Sequence, residues 1–344
     1  MAILVTGGAG YIGSHMVRAL LRANRDVLIL DDLSTGHRDA IPAGVPFIHG
    51  DVGNRALVGA VLRTYGVHAI VHFAARSQVG ESTRDPRRYY TGNLGATIAL
   101  LEAALDARVK AFVLSSTAAV YGIPRVVPIR EDALTEPINP YGETKLAIER
   151  VLSNYARAYG LRYAALRYFN AAGAEAGLGE RHEPESHLLP LVLDAALGIR
   201  PDVAVFGGDY PTADGTCVRD YVHVSDLADA HLAALDHLSS GGQSGPYNLG
   251  AGRGYSVNEV IDVCRAVTGR PIAVRYVGRR DGDPPVLVAS SETARIHLGW
   301  SPRRSSMDRI VRDAWAWHGR KATARARSAS SFTSRPEKDA THVP

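Results

Sequence analysis

Tyr141 and Lys145 lie four residues apart in the stretch that runs from Asn139 to Lys145, a spacing that puts both on one face of a helix. Free tyrosine has a pKa of about 10 and is a poor base near neutrality. A neighbouring lysine cation and the positive end of a helix both favour the phenolate. Earlier in the chain, Ser115-Ser116-Thr117 closes an apolar run, and the Thr117 hydroxyl would orient the same substrate oxygen. Such a group can take a proton from a carbinol while hydride leaves to a nicotinamide ring. A lone Y-x-x-x-K is more often an exposed i,i+4 pair, so the chemistry needs a cofactor site nearby.

That site follows the first apolar run, in Gly7-Gly8-Ala9-Gly10-Tyr11-Ile12-Gly13. Glycine is required where the backbone turns sharply and where a pyrophosphate must come close. The free N–H groups of the next helix then face the phosphate. Asp31 ends the following run, where it would bind a ribose hydroxyl pair. A 2′-phosphate would be repelled by Asp31 and Asp32, so NAD is preferred over NADP.

These residues need strands to carry them. Ala2–Thr6, Val27–Leu30, Pro46–Ile48, His68–Phe73, Lys110–Leu114 and Tyr163–Leu166 read as strands. Helix-length stretches lie between most of them, at Ile12–Ala23, Arg55–Tyr65, Arg88–Ala107 and Tyr141–Tyr159. Such alternation predicts an α/β fold, a doubly wound parallel sheet whose ligands sit outside the carboxyl ends of the strands. The second half is less regular, with helices at about Ser225–Leu238, Ser256–Thr268 and Ser306–His318. Ser256 and Glu259 make a capping box, and Gly319 is expected to end the last helix.

Two cysteines in 344 residues, in no metal-like spacing, cannot form a disulfide framework and fit a reducing, cytoplasmic setting. No metal is expected. Leu188–Ile199, interrupted by Asp194, falls short of a membrane span. The formal charge of +4 resides entirely in residues 320–344, which read as a solvated tail, so nucleic acid is not an expected partner.

Longer matches add a family. Thr6-Gly-Gly-Ala-Gly-Tyr-Ile-Gly-Ser-His15, Arg167-Tyr-Phe-Asn170, Phe206-Gly-Gly-Asp-Tyr-Pro-Thr212, Val218-Arg-Asp-Tyr221 and Arg279-Arg-Asp-Gly-Asp283 resemble the extended short-chain dehydrogenases/reductases, and within them the UDP-glucose 4-epimerases, over roughly residues 1–318. The Phe206–Tyr221 stretch is the most specific of these. The resemblance implies a Rossmann domain over 1–170 with a return segment near 219–252. A smaller substrate domain would comprise 171–218 and 253–318, leaving 319–344 as a disordered basic tail.

It also implies tightly bound NAD and a UDP-sugar substrate epimerised at C4 through a 4-keto intermediate, with Tyr141 as base, Lys145 at the nicotinamide ribose and Thr117 at the 4-oxygen. Gly7, Gly10, Tyr11, Ile12, Gly13, Asp31, Asp51, Val52, Phe73, Ala74, Ala75, Asn93 and Tyr168 would complete the cofactor site. Asn170, His187, Leu188, Phe206, Arg219, Arg280 and Asp283 would bind the substrate, the two arginines at its diphosphate. Leu287 aligns where some relatives carry tyrosine, so an N-acetylated sugar would fit. A homodimer built on two helices per subunit is the expected assembly.

Rival readings are weaker. A 4,6-dehydratase would need an acidic pair where this chain has Ala118-Ala119, and a uronate epimerase finds only Arg76 as a possible extra cation. A non-catalytic NAD-binding regulator would commonly lack the Tyr/Lys pair.

Overall fold

The computed structural model describes residues 2–280 and 282–332, with 321–332 as backbone only. The first half runs β1 (Ala2–Thr6), α1 (Tyr11–Arg22), β2 (Val27–Asp31), β3 (Phe47–His49), α2 (Arg55–Thr64), β4 (Val67–His72), α3 (Val79–Arg84), α4 (Pro86–Tyr89), α5 (Ala96–Asp106), β5 (Ala111–Thr117), α6 (Pro140–Tyr159) and β6 (Arg162–Tyr168). Then follow β7 (Asn170–Ala172), α7 (Leu188–Ala196), β8 (Val203–Phe206), β9 (Val218–His223), α8 (Val224–Ser239), β10 (Gly245–Leu249), β11 (Gly254–Ser256), α9 (Val257–Thr268), β12 (Val274–Val277), β13 (Val286–Leu287), α10 (Glu292–Leu298) and α11 (Met307–Phe332).

Seven parallel strands form the main sheet in the order β10-β6-β5-β4-β1-β2-β3. Successive side chains point to opposite faces, so Val5 packs with Met16 and Leu20 of α1 and Leu235 of α8, while Leu4 joins Val58 of α2, Leu101 of α5 and Leu152 of α6 on the other side. Helices on both faces explain why β2 and β4 are nearly continuous apolar runs. Strand order reverses beside β1, between β2 and β4, which opens a crevice at the carboxyl ends.

A smaller sheet joins β9 to β7, β11 and β13, and β8 pairs with β12. Val192, Ile261, Ile310 and Val311 from α7, α9 and α11 share a core of their own.

Three features differ from expectation. The continuous helix predicted over Arg88–Ala107 is broken by a π-helical turn at Tyr90–Gly95, which carries Asn93. Gly319 does not end its helix. Helix α11 continues to Phe332, because alanine, arginine and lysine between 320 and 327 propagate a helix once the packed turns have nucleated it. The expected disordered tail is thus helical as far as Phe332, and its remainder, 333–344, lies outside the described residues. The substrate segment expected over 253–318 also divides. Ala294, Leu298 and Trp300 pack into the main sheet's core beside α8, although β9 from the return segment lies in the smaller sheet. The Ser256–Glu259 capping box is present.

Candidate active site

The glycine loop turns between β1 and α1. Gly7 has φ +70°, and a Cβ there would stand 2.6 Å from the Ala74 nitrogen. A Cβ at Gly13 would stand 2.1 Å from the Gly7 carbonyl, so the turn closes only with glycine at both places. Helix α1 starts at Gly10 with no side-chain cap and no acidic residue in its first turn, which leaves the N–H groups of Tyr11 and Ile12 available to an anion. This uncapped helix start at the strand reversal fits a dinucleotide pyrophosphate.

Asp31 is buried, and its carboxylate accepts from Ala9 N at 2.9 Å and Leu33 N at 2.8 Å. Burial pulls its pKa up against those two bonds. The residue therefore ties the glycine loop to the end of β2. Past β3, exposed Asp51 accepts from Gly53 N, while Val52 is buried in the sheet's second core. Phe73, Ala74 and Ala75 follow β4, with the Phe73 ring 4.6 Å from that of His231. Asn93 is fully buried and spends its amide on the Arg76 backbone, accepting from N at 2.8 Å and donating to O at 3.0 Å.

The expected reacting groups lie on β5 and α6. Asn139 caps α6 by accepting from Gly142 N at 2.9 Å, and Pro140 occupies the first turn. That start sets Tyr141 against Thr117, with which it shares a hydrogen bond. Burial pushes the Tyr141 hydroxyl up to about 12, against the Thr117 bond that lowers it. Lys145, one turn on, is 1% exposed and donates from Nζ to the Ser115 carbonyl at 2.7 Å. Burial brings its pKa down to about 8, with Glu149 opposing. Burial thus outweighs the lysine and helix-end effects expected from sequence. Tyr168 ends β6 and bonds the Ser115 hydroxyl.

Beneath this floor lies a network that sequence reasoning passed over. Glu149 receives Arg167 Nη2 at 2.6 Å and Nε at 3.0 Å, both side chains under 8% exposed. Arg167 Nη1 also donates to the Tyr121 hydroxyl at 2.9 Å, which donates to Asn248 Oδ1 at 2.7 Å. The available signal was helical spacing, since Tyr141, Lys145 and Glu149 recur at i, i+4 and i+8. Asp220, also passed over, gathers the N–H groups of Ala251, Gly252 and Ala289 at 2.7–3.1 Å.

The expected substrate residues divide between two places. Arg219 of β9 donates to Asp283 at 2.6 Å, and the Arg280 guanidinium lies 3.8 Å from the Phe206 ring centre. Leu287 stands opposite Arg219 in the strand register and packs toward Tyr121 and Leu146. This cluster holds two cations, Arg219 and Arg280, and suits a diphosphate. Asn170 begins β7 opposite Tyr221. His187 and Leu188 start α7, and His187 Nδ1 bonds Glu180 and Glu185.

The model of the NAD dependent epimerase/dehydratase family matches residues 3–250. The UDP-glucose 4-epimerase of Halalkalibacterium halodurans is 53% identical over 320 residues, covering 92% of this chain and 96% of the relative. The crystal structure of a UDP-glucose 4-epimerase from Brucella ovis in complex with NAD superposes with a TM-score of 0.90 at 45% identity, covering 92% of this chain and 98% of that one. The Bifidobacterium longum enzyme, solved with NAD+ and UDP, gives 0.88 at 36% identity, with 94% and 99% covered.

Because removing one member of a buried, hydrogen-bonded pair strands the other, Glu149→Gln should lower the free energy of unfolding by about 3–5 kcal/mol in a denaturant titration. A loss below about 1 kcal/mol would reduce the pair to the worth of a surface contact.

Proposed function

Since the chain belongs to the NAD dependent epimerase/dehydratase family, we propose that it interconverts UDP-glucose and UDP-galactose by inverting C4 through a 4-keto sugar. The observation that carries this is the meeting of Tyr141, Thr117 and Lys145 at the strand ends beside the glycine loop, with Arg219 and Arg280 brought in from the second half of the chain. When bound, NAD supplies the hydride acceptor and donor and a further positive charge near the phenol.

The chain's own groups do the rest. Tyr141 Oη takes the proton of the sugar 4-hydroxyl as the C4–H bond breaks, and Thr117 Oγ1 holds that oxygen in line. Lys145, fixed by Ser115, keeps its ammonium one helical turn from the base. Arg219 and Arg280 hold the diphosphate while the keto sugar turns its other face, after which Tyr141 returns the proton. Gly7, Gly10, Tyr11, Ile12 and Gly13 would cradle the pyrophosphate, and Asp31 the adenosine ribose. Asp51 and Val52 would flank the adenine, Phe73, Ala74, Ala75, Asn93 and Tyr168 would line the remaining cofactor surface, and Asn170, His187, Leu188, Phe206 and Asp283 the nucleotide-sugar.

Among the described residues no helix is long and apolar enough to cross a membrane. Both cysteines are free and buried, which supports a reducing, cytoplasmic setting.

In a coupled assay Tyr141→Phe should lose about 10²–10⁴-fold in kcat while still purifying with NAD. Lys145 is charged below about pH 8 and neutral above it, so the wild-type rate should fall as pH rises through that value. Lys145→Met should lack that limb. A Tyr141→Phe enzyme with wild-type turnover would remove Tyr141 from the reaction.

Leu287 is smaller than the tyrosine that closes the sugar pocket in some relatives, which favours a second activity on UDP-N-acetylglucosamine. Its epimer should be detectable by chromatography, and Leu287→Tyr should abolish that product while sparing UDP-galactose turnover. Absence of the N-acetylated epimer in the wild type overturns this reading. We place α5 and α6 at a homodimer interface. Their side-by-side packing, with Tyr155 bonded to Glu102 and Ile98 exposed, supports it. A monomer by light scattering at assay concentration would refute it.

A further inference from the structure

We propose that Glu180, His182, Glu185 and His187 form a structural site for one divalent transition metal, best suited to zinc. The four residues lie in the loop between β7 and α7 as two Glu-x-His pairs. One ligand atom from each lies within 4.8 Å of all the others. Two imidazole nitrogens converge on a single oxygen of buried Glu180, His182 Nδ1 at 3.1 Å and His187 Nδ1 at 2.9 Å. Glu185 Oε1 lies 2.8 Å from the same His187 nitrogen.

Zinc bonds of about 2.0–2.2 Å in a tetrahedron separate ligand atoms by about 3.3 Å, close to these spacings, so small side-chain shifts would admit the ion. Neutral imidazole and carboxylate suit zinc, whereas magnesium and calcium favour all-oxygen shells. Four protein ligands leave no open position, which marks a structural rather than a catalytic ion.

What the ion would hold is the loop beside the cofactor turn. Tyr11, in the first turn of α1, donates to the Gly173 carbonyl at the loop's base. Within the loop, the Arg181 carbonyl bonds His37 Nε2 at 3.1 Å, and the Pro184 carbonyl accepts from Gln78 at 3.3 Å. The loop then delivers His187 and Leu188 to the start of α7. A metal would add a cross-link to a span otherwise tied by the Arg181–Asp39 ion pair and by hydrogen bonds such as these, independently of which sugar is turned over.

The test uses NAD-loaded enzyme purified without a polyhistidine tag, treated with chelator, desalted and titrated with zinc chloride. One equivalent of zinc per chain should bind saturably and raise the melting temperature. His182→Ala and Glu185→Gln should each weaken binding more than tenfold, while His297→Ala, an exposed histidine elsewhere, should leave it unchanged. NAD content and circular dichroism identify any variant that fails to fold; Glu185→Gln, the most conservative change, then decides alone. Absence of saturable binding, or binding that persists in Glu185→Gln, overturns the proposal.

Discussion

The helix that carries Tyr141 and Lys145 is anchored to the sheet by a buried charge pair. Glu149 and Arg167 join α6 to β6, with Ser116 of β5 donating to the same carboxylate. Ions taken out of water cost several kcal/mol each, and the cost is offset only when geometry and hydrogen bonds are complete. Here they are nearly so, because Tyr121, Asn248 and the Glu131 carbonyl take up the remaining donors and acceptors. The result is a helix held at a set height above the strand ends. Tyr141 and Lys145 inherit their positions from it.

Burial then sets the chemistry of those two groups in opposite directions. It disfavours the tyrosinate and the ammonium alike, raising one pKa and lowering the other. Near neutral pH burial thus holds the phenol protonated, and positive charge placed beside it would favour its ionisation.

The substrate side obeys a different rule. Arg219 sits on β9, Phe206 ends β8, and Arg280 and Asp283 come from the loop after β12. Pairing Arg219 with Asp283 and placing Arg280 over Phe206 holds both guanidinium groups where the proposed diphosphate would meet them. Less ordering is then left for the binding step.

The periodicity of apolar runs determined the parallel sheet, because strands buried on two faces must be apolar throughout, and the glycines determined the cofactor turn, because a Cβ cannot fit there. Local spacing likewise put Tyr141 and Lys145 on one face. Tertiary structure alone decided the rest. Asn93 is spent on the Arg76 backbone, and its π-helical turn was invisible to a continuous helical pattern. His187 turns to Glu180 and Glu185, which are near it only once the loop has folded. Gly319 lies within a helix because the turns before it are packed. In each case the deciding partner is supplied by the fold, and no local rule of propensity or spacing contains it.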